Sequence, residues 1–380
     1  MTSTAETQNA NEVFDRIKHD SRFNTPCLVL SAELVTRNIE RMATYCAQHD
    51  IKLRPHTKTH QSLKLAQLQL DHGAVGLTVA KPGEAQVMAQ LGAEVLIAYP
   101  SVTQASLDTI ADLSRRNSLL VAIDSLAAVE LLEAATSEIA DSVGVLVDID
   151  VGLHRTGLQE ANQSLALAQK VARSKKLKLA GLFCYPGQVW AKPHEQAEPL
   201  AKVTAIIDQH LAAWRVAGLE AAIVSGGSTP TALQSHLIPS LTEIRPGTYV
   251  FNDMNTVRGG FCTIEDCAAR FVTTVISDSV AEQIVIDAGS KTLASDRCIP
   301  ALETGYGYIV ELPGAIITHL SEEHGQVDIS KCDIRPQVGD RLTVSPNHVC
   351  PTVNLTSEAW WATADGNVER VPIDTRGMVR

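Results

Sequence analysis

Gly144-Val145-Leu146-Val147-Asp148-Ile149-Asp150-Val151 is apolar along nearly its whole length and turns acidic only toward its end. A strand that alternates apolar and polar residues buries one face. A near-continuous apolar run buries both, which marks a parallel sheet covered by helices on either side. Similar short runs recur at Cys27–Leu30, Ile51–Pro55, Gly76–Val79, Val95–Tyr99, Leu119–Asp124, Leu179–Tyr185 and Ala222–Ser225, and Glu243–Val250 closes the series. Amphipathic stretches such as Ala32–His49, Gly83–Leu91 and Asn162–Ser174 separate them. Roughly eight such units over about 225 residues predict an α/β fold of the (β/α)8 TIM-barrel type rather than an open sheet.

The pattern changes after Arg258. Val272–Ser277, Gln283–Ala288, Gly314–Leu320, Arg341–Ser345 and Trp360–Ala364 read as strands with Gly and Pro turns between them, so an antiparallel β-domain is expected. The expected organisation is an N-terminal segment over 1–24 packing on the β-domain, a barrel over 25–255 and a β-domain over 256–380.

The chain has 380 residues, 45% of them hydrophobic, and a net charge of −11 with Lys and Arg scattered. That excludes a concentrated basic face for nucleic acid or anionic membrane. No apolar run reaches the ~18 residues of a membrane span, and Met1–Arg22 lacks an apolar signal core, so a cytoplasmic protein is expected. The eight cysteines form no CxxC pair and read as small buried hydrophobes, with Cys350 set apart below.

The C-terminal ends of barrel strands carry active sites, and polar clusters fall there. Leu53-Arg54-Pro55-His56-Thr57-Lys58-Thr59-His60 follows the second run. Its lone Lys58 suits a Schiff-base amine, which cationic neighbours or burial must activate for attack on a carbonyl. The octapeptide alone fits a basic surface loop equally well. Asp148–Arg155 follows the sixth run and Tyr185-Pro186-Gly187-Gln188 the seventh. Arg155 can pair with the nearby carboxylates, or face a cofactor ring nitrogen and keep it unprotonated.

Ser225-Gly226-Gly227-Ser228-Thr229-Pro230-Thr231 follows the eighth run. Its glycines let backbone N–H groups approach an anion, and Ser228 and Thr229 add donors. An ordinary turn with a Ser or Thr N-cap is the alternative; beside Lys58, phosphate is the favoured reading. Asn347-His348-Val349-Cys350-Pro351 is the second strong feature. In an extended segment the i, i+2 spacing puts His348 and Cys350 on one face, and imidazole nitrogen with thiolate sulfur suits Zn²⁺. Two ligands leave positions open for water or substrate, as a catalytic metal requires. A buried cysteine beside a surface histidine is the alternative. His324, in Ser321-Glu322-Glu323-His324-Gly325, is a weaker candidate for the same neighbourhood.

These residues resemble the D-threonine aldolase and D-serine dehydratase group of pyridoxal-phosphate (PLP) enzymes. The similarity runs from Thr25 to Gly377 and rests on Arg54–His60, Asp148–Arg155, Ser225–Thr231, Arg245-Pro246-Gly247-Thr248-Tyr249, Glu322–Gly325 and Pro346–Cys350. The resemblance implies an alanine-racemase-type barrel with a C-terminal β-domain, PLP fold type III. It implies Lys58 as the lysine that carries PLP, Arg155 opposite the pyridine nitrogen and Tyr185 beside the ring. Phosphate falls to Gly226, Gly227, Ser228 and Tyr249, with Ser225 and Thr229 in the same cofactor loop. His348 and Cys350 look like the family's metal pair, for Zn²⁺ or Mn²⁺. A homodimer is implied, each active site completed by the partner's β-domain. Two departures from the aldolases stand out: Cys350 replaces a frequent aspartate, and the loop after Tyr185 lacks a histidine, with His194 only nearby.

The expected function is a PLP- and metal-dependent lyase for β-hydroxy-D-amino acids, first a D-threonine aldolase releasing glycine and an aldehyde. The alternative is a D-serine or D-threo-3-hydroxyaspartate dehydratase. A racemase would have no use for the metal, and a non-catalytic PLP carrier no use for Cys350 or the β-domain.

Overall fold

The computed structural model describes residues 4–138 and 143–380. The chain divides into two compact units, one of residues 41–58, 63–247 and 377–380, the other of residues up to 40, 59–62 and 248–376. The first strand, β1 (Cys27–Ser31), belongs to the second unit and not to the barrel that its apolar run predicted.

The first unit holds an eight-stranded, all-parallel sheet of β2 (Lys52–Leu53), β3 (Leu77–Val79), β4 (Val95–Ile97), β5 (Leu119–Ile123), β6 (Val143–Ile149), β7 (Leu177–Cys184), β8 (Ile223–Gly226) and β9 (Glu243–Ile244). Its order is β2-β9-β8-β7-β6-β5-β4-β3. A parallel bridge between His56 and Thr78 joins the two ends, supported by Val75 N–H to Leu53 O and Thr78 N–H to Pro55 O, both 2.9 Å. The sheet therefore curls onto itself as a barrel. Strands β5 and β6 are buried at every position, as runs without polar alternation must be. Leu96, Leu120, Ala122, Leu146, Ala180 and Phe183 form one apolar cluster across four of these strands. The covering helices begin at readable caps: the Ser125 hydroxyl accepts the Ala128 N–H, and Glu160 and Gln163 close a capping box.

The closing ladder is short, and a buried polar network reinforces it. Arg54 Nε donates to both oxygens of Glu243 at 3.0 Å, and its Nη2 reaches Glu94 at 3.0 Å. The Arg54 and Glu243 side chains are 4% and 1% exposed. The Ser225 hydroxyl donates to Glu243 (2.6 Å), Arg245 donates to that hydroxyl (2.5 Å) and to Cys184 O (2.7 Å), and the Arg245 guanidinium lies 3.7 Å from the Phe183 ring centroid. Burial pulls Arg245 down to about 10, against the opposing charges of Cys184, Glu243 and Asp148.

The second unit is a mixed, mostly antiparallel sheet with the order β13-β14-β11-β10-β1-β16-β17. Its strands after β1 are β10 (Ala269–Val280), β11 (Gln283–Ile286), β12 (Tyr308–Ile309), β13 (Ile316–Leu320), β14 (Gly325–Asp328), β15 (Arg341–Ser345), β16 (Glu358–Ala362) and β17 (Val368–Pro372). Strand β15 pairs with β10 and β12. Strand β1 runs antiparallel to β10 and parallel to β16, so its apolar residues are buried inside this sheet. The helix Thr4–His19 packs here through Val13, Phe14 and Ile17, and Lys18 pairs with Glu311 at 2.9 Å. Residues 1–3 of the expected N-terminal segment lie outside the described residues. The run Glu243–Val250 is a strand only over Glu243–Ile244; beyond Pro246, which has no N–H for a ladder, Thr248–Val250 is a 3-10 turn.

Replacing one partner of a buried ion pair leaves the other charge uncompensated, at a cost of about 3–5 kcal/mol. Arg54→Met should therefore lower the free energy of unfolding, measured by urea denaturation, by about that much, and Arg54→Met with Glu243→Leu should recover most of it. A single-variant loss of under about 1 kcal/mol would show that the network does not hold the seam.

Candidate active site

Lys58 is half-buried in the 3-10 turn Thr57–Thr59 that follows β2. The main chain before it is fixed: His56 N–H donates to Pro246 O (3.0 Å) and the Thr57 hydroxyl to Thr78 O (3.1 Å). One strand over, Lys81 leads into the helix Pro82–Met88, and its ammonium lies 3.5 Å from the Tyr99 ring centroid. Glu84 on that helix is buried and accepts the Ala80 N–H at 2.6 Å. Burial raises its pKa, against hydrogen bonds from Ala80 and Lys81 and the charges of Lys58 and Lys81.

Residues 150–158 form a closed loop. Asp150 Oδ1 accepts the N–H groups of Gly152 and His154 at 3.0 Å, and its Oδ2 meets His154 Nδ1 (2.5 Å) and Gln159 Nε2 (3.0 Å). The loop rejoins the strand through Leu158 N–H to Asp148 O (2.9 Å) and Asp150 N–H to Leu158 O (3.1 Å). The return is so close that a Cβ at Gly157, where φ is +100°, would lie 2.5 Å from Asp150 N. Burial pushes against ionisation of Asp150, yet those hydrogen bonds hold it at about 2. Asp148 is pushed up to about 7 by burial, with Asp124 adding and Thr156, Arg245 and Arg155 opposing. With the carboxylates so engaged, exposed Arg155 places its guanidinium 4.8 Å from the Tyr185 ring centroid. Tyr185 follows β7, and Gln188 Nε2 ties its loop to Val151 O at 2.6 Å.

Ser225–Ser228 are buried at the end of β8. The hydroxyl of Ser225, read as part of the cofactor loop, is engaged with Glu243 and Arg245. The Ser228 N–H and hydroxyl both meet Thr231 Oγ1, at 3.1 and 3.0 Å. Gly227 has φ +77°, and a Cβ there would lie 2.9 Å from Ile244 Cγ2. Half-buried Thr229 completes the loop, whereas Tyr249 is buried in the second unit.

In that second unit the His348–Cys350 segment is not the extended strand that its spacing suggested. His348 is the N-cap of the helix Val349–Leu355, and Cys350 sits in the first turn. Pro351 is accommodated there because first-turn N–H groups have no intrahelical partner. Imidazole and thiol still hydrogen-bond one another. His348 Nδ1 lies 2.7 Å from Asp296 Oδ2, and Cys350 Sγ lies 3.2 Å from Thr59 Oγ1 and 3.8 Å from Thr248 Oγ1. Buried Asp253 accepts the Val349 N–H at 3.1 Å. Burial lowers the His348 pKa, but Cys350, Asp253 and Asp296 outweigh it and raise it to about 9. The surroundings thus favour a cation. His324 lies in the exposed turn between β13 and β14, where Glu323 pairs with Lys291 at 2.6 Å. His194 is exposed beside Glu195 at 3.5 Å. No group of three or more His, Cys, Asp or Glu side chains among the described residues is arranged to hold a metal by itself.

Residues 30–255 match the family model of the alanine racemase N-terminal domain, and residues 268–361 match the serine dehydratase domain. The D-threo-3-hydroxyaspartate dehydratase of Delftia sp. (strain HT23) is 31% identical over 91% of this chain and 96% of its own. The chain belongs to the D-threonine aldolase, 3-hydroxyaspartate dehydratase and D-serine dehydratase family. This is a family of PLP-dependent lyases. The solved D-threonine aldolase from Filomicrobium marinum superposes with a TM-score of 0.86 at 29% identity, covering 94% of this chain and 96% of that one. Alanine racemase from Clostridium difficile 630 shares the fold, with a TM-score of 0.67 at 14% identity over 92% of this chain and 98% of that one. Solved structures of a D-threo-3-hydroxyaspartate dehydratase, 30% identical to this chain, include a histidine-to-alanine variant and a cysteine-to-alanine variant two positions further on, the latter in a metal-free form.

The residues present fit the family's cofactor. An amine, a guanidinium stacked on a tyrosine and a glycine cup that admits no side chain stand at the C-terminal ends of β2, β6, β7 and β8. The His348–Cys350 pair fits a divalent cation, with nitrogen and sulfur donors among carboxylates. Thr59 and Thr248 stand in stretches read for the cofactor, not for the His348–Cys350 pair, and Asp296 carried no signal in the sequence. Asp296 is 52 positions from His348 and has no local signature, whereas Asp253-x-x-Thr256 was readable as a capping box.

Borohydride treatment of the PLP-loaded protein should fix the label on Lys58, read by peptide mapping. A label on Lys64 or Lys81 would overturn the assignment. Lys58→Ala should abolish turnover and leave the thermal melt of the cofactor-free protein unchanged.

Proposed function

We propose that this protein is a PLP- and divalent-metal-dependent lyase for β-hydroxy-D-amino acids, acting as a D-threonine aldolase that yields glycine and an aldehyde. The observation that carries the reading is the imidazole–thiol pair of His348 and Cys350, held among carboxylates in a chain whose barrel presents Lys58. PLP stabilises negative charge at Cα, and a divalent metal lowers the pKa of a β-hydroxyl. Lys58 would hold PLP covalently and, once substrate replaces it, become a free amine able to move a proton at Cα. Arg155, kept on the Tyr185 ring, would hold a permanent positive charge toward the cofactor nitrogen. Gly226, Gly227, Ser228 and Thr229 would bind the phosphate, with Tyr249 contributing. Ser225 would act through Glu243 and Arg245. His348 and Cys350 would be the protein's metal ligands, for Zn²⁺ or Mn²⁺, and the working form would be a homodimer.

A second reading, dehydration of D-serine or D-threo-3-hydroxyaspartate, is favoured by Cys350. The D-threo-3-hydroxyaspartate dehydratase solved in a metal-free form is a cysteine-to-alanine variant of a similar chain. In that reaction Lys58 would remove the Cα proton and the same hydroxyl would leave as water.

EDTA should abolish turnover and Zn²⁺ or Mn²⁺ restore it, while His348→Ala and Cys350→Ala lose metal but keep PLP. A metal-free double variant with full activity would refute the metal's role. D-threonine should give glycine and acetaldehyde, and L-threonine neither. If D-threonine and D-serine yield only ammonia and 2-keto acids, the dehydratase reading replaces the aldolase.

A further inference from the structure

We propose that Asp296 is a positioning residue that fixes the imidazole of His348 for metal binding, a step that rests on the metal role proposed above. Its Oδ2 lies 2.7 Å from His348 Nδ1. A carboxylate at Nδ1 holds the ring proton on that nitrogen, orients the ring and leaves the Nε2 lone pair for an ion. Such partners also make the imidazole a better donor.

A surface ion pair of two mobile side chains would do none of this. Here the backbone of Asp296 is tied to the segment that carries His348. Asn347, the residue before His348, donates through Nδ2 to Asp296 O (3.1 Å) and to Gly305 O (2.8 Å). Asn255 donates its N–H to Asn347 O (3.1 Å), and its side-chain oxygen accepts the Ile299 N–H (2.7 Å). Both asparagines are buried, at 1% and 4% exposed. The two ends of the 296–305 loop are therefore held against the 346–350 turn, which sets where the Asp296 carboxylate can reach. Asp253, the other nearby carboxylate, already accepts the N–H groups of Val349 and Thr256. That leaves Asp296 as the carboxylate hydrogen-bonded to the ring among the described residues.

The test is Zn²⁺ affinity of the metal-free, PLP-loaded protein without substrate, measured by chelator competition for wild type, Asp296→Ala, Asp296→Glu and His348→Ala. Asp296→Ala should bind Zn²⁺ about 10- to 100-fold more weakly, and Asp296→Glu should recover part of that loss. Because the pair is 39% and 45% exposed, the thermal melt and the visible cofactor band should not move. Unchanged affinity in Asp296→Ala would overturn the proposal and mark a surface pair. A loss as deep as that of His348→Ala would also overturn it, because Asp296 would then be a ligand. A wild-type protein that binds no Zn²⁺ while retaining PLP would refute the metal role itself, and this inference with it. Should Asp296→Ala fail to fold, Asp296→Asn replaces it under the same criteria, since it keeps the size and one acceptor but lacks the charge.

Discussion

Closure of the barrel at its shortest ladder is the constraint on which the placement of Lys58 depends. Strands β2 and β9 pair over only Lys52–Leu53 and Glu243–Ile244, and β2 meets β3 through the single bridge of His56 with Thr78. So few ladder bonds do not define a register by themselves. The buried Arg54–Glu243 pair, extended through Ser225 to Arg245, adds directional bonds where the ladder is thin. Its desolvation cost is large and its net gain in stability is modest; what it contributes is specificity of arrangement. Lys58 lies four residues beyond Arg54, and the glycine cup begins directly after Ser225, so one network sets the starting points of both loops.

Much of this was legible in the sequence because the barrel's signals are local. Runs such as Leu119–Ile123 and Val143–Ile149 are buried on both faces and show it in composition. The polar clusters after β2, β6, β7 and β8 could be placed once the strands were. What failed has a common physical cause. The Cys27–Ser31 run is as apolar as a barrel strand, but its partners are β10 and β16, and pairing partners far along the chain leave no local mark. Strand β14 is polar at alternate positions and short, so it did not rise above its turns. At His348 the i, i+2 rule presumed an extended chain, while the N-cap position of His348 starts a helix there instead.

Asp148 and Asp150 show how far environment separates identical side chains. The two stand two positions apart, yet burial raises one to about 7 and hydrogen bonds hold the other at about 2. The difference is geometric: the Asp150 carboxylate collects two N–H donors in addition to His154 and Gln159, whereas the more deeply buried Asp148 carboxylate accepts from the Thr156 hydroxyl. Ser225 is a similar case. It opens the cofactor loop, and its hydroxyl has buried partners in Glu243 and Arg245 that the loop's own sequence does not announce. Asp296 is the converse, a residue with no motif whose contact gives it one.

A crystal structure of the protein grown with PLP would test the central claim most directly. Continuous density is expected from Lys58 Nζ to the cofactor, with the phosphate against the Gly226–Thr229 loop and the ring beside Tyr185. Density for PLP on another lysine, or a phosphate bound away from that loop, would contradict it.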